Sequence, residues 1–299
     1  MKLTRLLLST TITLTSLSVG MTAFAFTVTQ TNNGAQLLDA LLGTTDGLSN
    51  FNISLFGDAR GFGIFEDDPF FLEDGVVIST GRVIDLPGIN TSDTFSPDLN
   101  TDFGLPGNSG DSLTLQLTFD ADDTAEKFYF QYAFGSEEFV EFGGSSFNDT
   151  FTLKLNGIDF AQLSDGEAVT INNLVGSPVG PFHPDFIQNP VGTGPASDIT
   201  KLDGYTYPLL FEAPIAKNAT NVLTINMRDT NDGIYDAAVF IKGDTAGSEP
   251  PPGIVIDGET YADPDDNGDG GVSVPEPGSI LGLVTLAIAS KVLFKPKSA

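Results

Sequence analysis

Apolar residues recur at every second position along much of this chain. Leu113, Leu115, Leu117 and Phe119 fall on one side of residues 112–119, and Phe128, Phe130, Tyr132 and Phe134 do the same in residues 127–134. Phe151, Leu153 and Leu155 repeat the pattern, as do Leu223, Ile225 and Met227, and Val239 with Ile241. A period of two is that of a strand with one face buried. Residues 120–126, 156–159 and 229–235 between these runs are rich in Asp, Asn, Gly and Thr, the residues of tight turns. Helical spacing occurs once, where Leu37, Leu38, Leu41 and Leu42 share a face ahead of Gly43 as a stop. The pattern predicts an all-β fold, an antiparallel two-sheet sandwich of jelly-roll-like kind with one short N-terminal helix. Residues 175–199 carry repeated Gly and Pro and the single His, and predict a long surface loop. No internal repeat of roughly 20–50 residues is present, which argues against a propeller or solenoid.

The two ends follow different rules. Lys2 and Arg5 precede a short apolar, Ser/Thr-rich run that closes on Ala23-Phe24-Ala25, which predicts a secretory signal peptide over residues 1–25, cleaved after Ala25. Near the other end, Pro275, Glu276 and Pro277 precede an apolar run from Ile280, then Lys291, Lys295 and Lys297. That run of about 16 residues predicts an isolated C-terminal hydrophobic helix, marginal for a span of about 20. Lys291 can snorkel to the interface and the Lys tail stays cytoplasmic. The tail resembles a PEP-CTERM sorting signal. The resemblance implies an exosortase-type sorting enzyme as partner, a transient inner-membrane anchor through the C-terminal segment, and delivery to the cell envelope surface or extracellular matrix. The domain plan is a signal peptide at 1–25, a β domain at 26–245, a Pro/Gly/Asp-rich linker at 246–274 and a sorting segment at 275–299.

Composition narrows the chemistry. The 40 Asp and Glu against 13 Lys and Arg give a net charge of −27, and no basic cluster stands ready to release counterions from a phosphate backbone, so nucleic acid is excluded as a partner. Removal of both ends strips five basic residues, Lys2, Arg5, Lys291, Lys295 and Lys297, and leaves a surface that attracts divalent cations. There is no Cys, so thiol catalysis, disulfides and Cys-rich zinc sites are ruled out.

The densest polar strings are 135–139, which ends an aromatic strand on Glu137 and Glu138, residues 147–149 with Asp149, and 229–236 with Asp229, Asp232 and Asp236. Hard oxygen ligands at this density suit calcium, which takes six to eight oxygens in flexible geometry. Glu137 and Glu138 are neighbours on a strand and reach one ion only across a bulge. The same residue types also cap turns by accepting backbone N–H groups, and spacing alone leaves both readings open. Residues 263–269 carry the opening of a calcium loop, with Asp263, Asp265, Asn267 and Gly268, yet Val274 stands where the closing Glu belongs.

Residues 74–81, 135–139 with Asn148 and Asp149, 203–206, and 229–243 together resemble the choice-of-anchor L family, over about residues 35–243. The resemblance implies a β-rich extracellular domain on an interchangeable anchor and brings no catalytic activity with it. Pairs of acids suited to glycoside hydrolysis occur by chance in so acidic a chain. His183, in a Pro-flanked loop without a G-x-S-x-G partner, reads as a loop residue. Tyr205 and Tyr207 suit either a sugar-stacking platform or the core. The expectation is a secreted, non-catalytic protein with a structural or adhesive role, stabilised by calcium. A carbohydrate-binding module for exopolysaccharide is the alternative, and a glycoside hydrolase ranks third.

Overall fold

The computed structural model describes residues 25–94, 96–104, 111–230, 233–256 and 259–260. The signal peptide before Ala25, the 263–269 string, the sorting motif and the C-terminal hydrophobic run lie outside the described residues. In chain order the elements are β1 (Thr27–Gln30), α1 (Gly34–Leu41), β2 (Leu48–Phe56), β3 (Phe62–Glu66), β4 (Asp74–Ser79), β5 (Ser112–Ala121), β6 (Lys127–Ser136), β7 (Thr150–Leu155) and β8 (Ile158–Asp159). They continue with α2 (Ile171–Leu174), β9 (Phe186–Gln188), β10 (Gly204–Thr206), β11 (Leu209–Pro214), β12 (Ala219–Arg228) and β13 (Ala237–Lys242), before a two-strand ladder of β14 (Val255–Ile256) and β15 (Glu259–Thr260).

Two antiparallel sheets result. The first runs β1-β3-β4-β13-β6-β10-β9, with β11 beside the other half of β6, and the second runs β2-β5-β12-β7-β8. Tyr207 and Pro208 separate β10 from β11 along the same edge of β6, where Pro208 has no N–H to offer the ladder. The connections β5 to β6, β6 to β7, β11 to β12 and β12 to β13 each cross between sheets, so the ends of both sheets meet.

The alternation read from the sequence is the packing of the core. Leu113, Leu115, Leu117 and Phe119 of β5 face Phe128, Phe130, Tyr132 and Phe134 of β6, joined by Leu223, Ile225 and Met227. Phe119 stacks on Phe128 at 4.7 Å and Phe130 on Phe211 at 4.4 Å. Each buried aromatic contributes about 1.5–3 kcal/mol of transfer free energy. In the second sheet β5 and the centre of β12 keep alternation, while β4, β6 and β13 are buried almost continuously. A second apolar layer on the far side of the first sheet explains the difference. Phe65, Val77, Ala133, Ala238 and Phe240 pack there under Phe26, Phe70, Leu72, Leu86, Leu99 and Leu202. Phe26, the residue after the expected cleavage point, lies 5.7 Å from Phe70 and 6.1 Å from Phe240, so the domain's first residue is already core.

Three expectations need correction. The short N-terminal helix is present, capped by Asn33 through Ala35 N–H at 3.0 Å, but a second, four-residue helix, α2, occurs as well, capped by Thr170. Gly43 is required by contact rather than as a stop, because a Cβ there would sit 2.2 Å from the Asp244 carbonyl oxygen. The segment 175–199 is loop over most of its length, with many residues exposed, but it carries a strand and buried anchors that the sequence did not show. Its β9 is the outer strand of the first sheet, Asn189 is fully buried, and Phe186 packs on Phe139 at 4.6 Å. Three-residue pairing between Gly and Pro breaks leaves no period to read.

Candidate metal centre

Where the two sheets end together, register gathers carboxylates. The rows Ser112↔Arg228 and Arg228↔Thr150 are the last of β5, β12 and β7. One residue further on stand Asp111, Asp229 and Asp149, abreast at the end of the second sheet, with Asp229 N–H bonded to the Asp111 carbonyl at 3.0 Å. Asp236, just before β13, arrives from the first sheet, and its carboxylate accepts Thr101 N–H at 3.1 and 3.2 Å. The end of β4 makes room for it: a Cβ on Gly81 would lie 1.8 Å from Asp236 Oδ2. Asp149 Oδ1 accepts Thr230 N–H at 2.9 Å, and Asp111 Oδ2 accepts Phe103 N–H at 2.6 Å.

Asp229 is different. It is 0% exposed, and neither carboxylate oxygen receives a hydrogen bond. The Thr80 hydroxyl, which works against the rise of the Asp229 pKa, is shared with Ala237, donating to its carbonyl at 3.3 Å and accepting its N–H at 2.9 Å. Burial, followed by the charge of Asp149, holds the Asp229 carboxyl well above the usual carboxylate range, with Asp236 and Asp111 adding to it. Asp236 is pushed to about 7, by burial first and by the Asp111 and Asp85 charges, against the Thr101 N–H.

A second group lies beside it. Glu137 and Glu138, at the end of β6, are each 1% exposed. Glu137 Oε1 accepts N–H groups of Asp98 at 2.7 Å and Leu99 at 2.9 Å. Its carboxylate feels Asp203, and burial followed by the Asp203 charge pushes it to about 10, while its backbone N–H bonds the Asp236 carbonyl at 3.2 Å. The six residues singled out from sequence are therefore divided. Asp149, Asp229 and Asp236 come together, Glu137 faces Asp203, Glu138 is buried next to Glu137, and Asp232 lies outside the described residues.

Sequence reasoning missed Asp111, Asp203 and Glu141. Asp111 and Asp203 each stand one row past a strand ladder, a signal visible only once register is known.

Among the described residues Asp111, Glu137, Glu138, Asp149, Asp185, Asp203, Asp229 and Asp236 are buried, while no Lys or Arg is. Among them Asp111 lies within reach of the Arg60 charge, while Asp185 accepts Ser164 N–H and Oγ–H and gives its own backbone N–H to His183 Nδ1 at 3.1 Å. An ionised carboxylate taken from water costs several kcal/mol even after relaxation, so this end of the fold requires protons or a bound cation. Hard oxygens without nitrogen or sulfur fit calcium, which also accepts carbonyls and water. No three Asp, Glu or His side chains among the described residues already form a finished metal centre. A nucleus of two carboxylates completed by carbonyls and water is the arrangement this geometry can supply. Two shallow clefts, one lined by Asn32, Ile53 and Phe62 and the other by Asp46, Lys127 and Tyr129, include none of these acids.

The chain is similar to TmCBM61, solved in complex with beta-1,4-galactotriose, at 8% identity over 63% of this chain and 86% of that one, with a TM-score of 0.26. It is also similar to a family 35 carbohydrate binding module from an environmental isolate, at 16% identity over 67% of this chain and 99% of that one, with a TM-score of 0.23. Superpositions this loose transfer neither fold nor ligand. No curated protein sequence matches. The sequence pattern of the choice-of-anchor L domain, by contrast, matches residues 26–246, the span from the buried Phe26 to the buried Ala246. The chain belongs to the choice-of-anchor L domain family.

Proposed function

We propose that this protein is a secreted, surface-sorted and non-catalytic module with a structural or adhesive role in the cell envelope or extracellular matrix, and that calcium at its acidic end stabilises the sandwich. The observation that carries the reading is Asp229, fully buried, flanked by Asp111 and Asp149, with both oxygens lacking a hydrogen bond. Calcium is plentiful outside the cell, and a module that recruits it there acquires its final stability only after export. The sorting motif of Pro275, Glu276 and Pro277 supplies the route, through an exosortase-type enzyme.

Thermal unfolding of the purified chain in calcium and in chelator tests this. At about 100 times its dissociation constant, calcium adds roughly 2.7 kcal/mol, a rise of about 5–10 °C in midpoint for a domain this size. Asp229→Asn abolishes that rise, and it raises the midpoint in chelator at neutral pH because the amide needs no proton taken up on folding. An identical midpoint with and without calcium would overturn the reading.

One observation favours a second reading, a glycan-binding module for exopolysaccharide. Phe71 is 66% exposed and lies parallel to Tyr207 at 6.4 Å, offering an aromatic face to solvent. Tyr205, its sequence companion, is 1% exposed and belongs to the core.

A further inference from the structure

The side chains around Glu137 are gathered by a different strand pair from those around Asp229, although the Glu137 N–H itself bonds the Asp236 carbonyl at 3.2 Å. β10 pairs with β6 through Gly204↔Ser136, which sets Asp203 and Glu137 abreast one row beyond, with Asp203 N–H on the Ser136 carbonyl at 3.2 Å. Gly204 fixes this approach, since a Cβ there would meet the Phe186 ring at 2.5 Å. Asp203 is 2% exposed. Its Oδ1 accepts Asn90 Nδ2–H at 2.6 Å, and the same amide also donates to the Asn189 carbonyl at 2.9 Å.

Each of these acids keeps an oxygen in reserve. Glu137 Oε2, Asp203 Oδ2 and both Glu141 oxygens are buried and receive no hydrogen bond. Burial, followed by the charges of Glu141, Asp93 and Asp98 and against the Asn90 amide, pushes Asp203 to about 9. Glu141 is raised by burial and by Asp93. No Lys or Arg among the described residues forms an ion pair with any of the five.

We infer that Glu137 and Asp203, with Glu141, Asp93 and Asp98 around them, form a second and separate centre for a hard divalent cation such as calcium. The centre lies where residues 89–99 and 185–203 fold back onto the end of β6, so the cation ties both segments to the first sheet. Glu137 ties the first segment to the strand through the Asp98 and Leu99 N–H groups, and the second reaches the sheet by the short β9–β10 ladder and the Asp203 N–H bond to Ser136. The inference goes beyond the reading above, which needs calcium only at Asp229, and it fails or stands on different residues.

Calorimetric titration of the full chain with calcium decides it. The expected stoichiometry is two ions in the wild type and one in either Asp203→Asn or Asp229→Asn. In hydrogen-exchange measurements, calcium protects residues 89–99 and 185–203 in wild type and in Asp229→Asn, and the protection is lost in Asp203→Asn. Glu141→Gln, at a half-buried position that tolerates change, weakens the second site by about tenfold or more while leaving the first intact, and serves if Asp203→Asn does not fold. A single ion in the wild type that survives Asp203→Asn and Glu141→Gln unchanged would overturn the second centre and leave the first standing. Loss of the ion with Asp203→Asn but not with Asp229→Asn would reverse that outcome.

Discussion

Asp229, Asp236, Asp203 and Glu137 are acids that folding removes from water without giving them a base, and this makes the protein's pH response unusual. With calcium chelated, each is stable in the native state as the neutral acid. Their native pKa values lie above those of the unfolded chain, which are about 4. The stabilisation is complete below about pH 4 and is lost as pH rises through the native values, near 7 for Asp236, 9 for Asp203 and 10 for Glu137. Urea midpoints of the chelated protein therefore fall from about pH 5 to about pH 9, opposite to a protein held by salt-bridged carboxylates. A midpoint that climbs over this range would contradict the assignment. The sequence showed Asp149, Asp229 and Asp236 as candidates through the density of oxygens. It hid Asp111 and Asp203, because neither is near its partners along the chain, and it could not show that Glu137 and Asp229 belong to different groups.

Among elements, the strands of the second sheet were legible because one face meets water and alternation survives. The first sheet was legible on its core face alone. Its other face is covered by segments with no period, and the loop 175–199, whose strand β9 and buried anchors the sequence did not show, is part of that cover. Asn189 organises it: its amide donates to the Leu202 carbonyl at 2.8 Å, its oxygen accepts Ala196 N–H at 2.9 Å, and its backbone carbonyl receives Asn90. Asn189→Ala strands a buried carbonyl and a buried N–H, each costing about 1–3 kcal/mol. The expected loss is about 2–4 kcal/mol by denaturant unfolding, and a loss below about 0.5 kcal/mol would mean that the cover is held elsewhere. The Asn226 amide, which reaches Ser112, Leu113 and Thr114 across β5, makes a comparable tie on the second sheet.

At the scale of the whole molecule, a net charge of −27 and, among the described residues, a buried set of carboxylates with no buried Lys or Arg point the same way. Surface acids concentrate divalent cations near the protein, and the joined ends of the two sheets are where the proposed calcium would find carboxylates. The sandwich uses register to assemble at its end what no single loop contains, and this is why composition suggested calcium while spacing could not locate it. The most direct test is a crystal structure of the protein grown in calcium, read by anomalous scattering. The account predicts an anomalous peak at Asp229, with carboxylate oxygens of Asp229 and its neighbours at about 2.3–2.6 Å. Carboxylates there bonded only to one another through shared protons or to water, with no peak in saturating calcium, would contradict it.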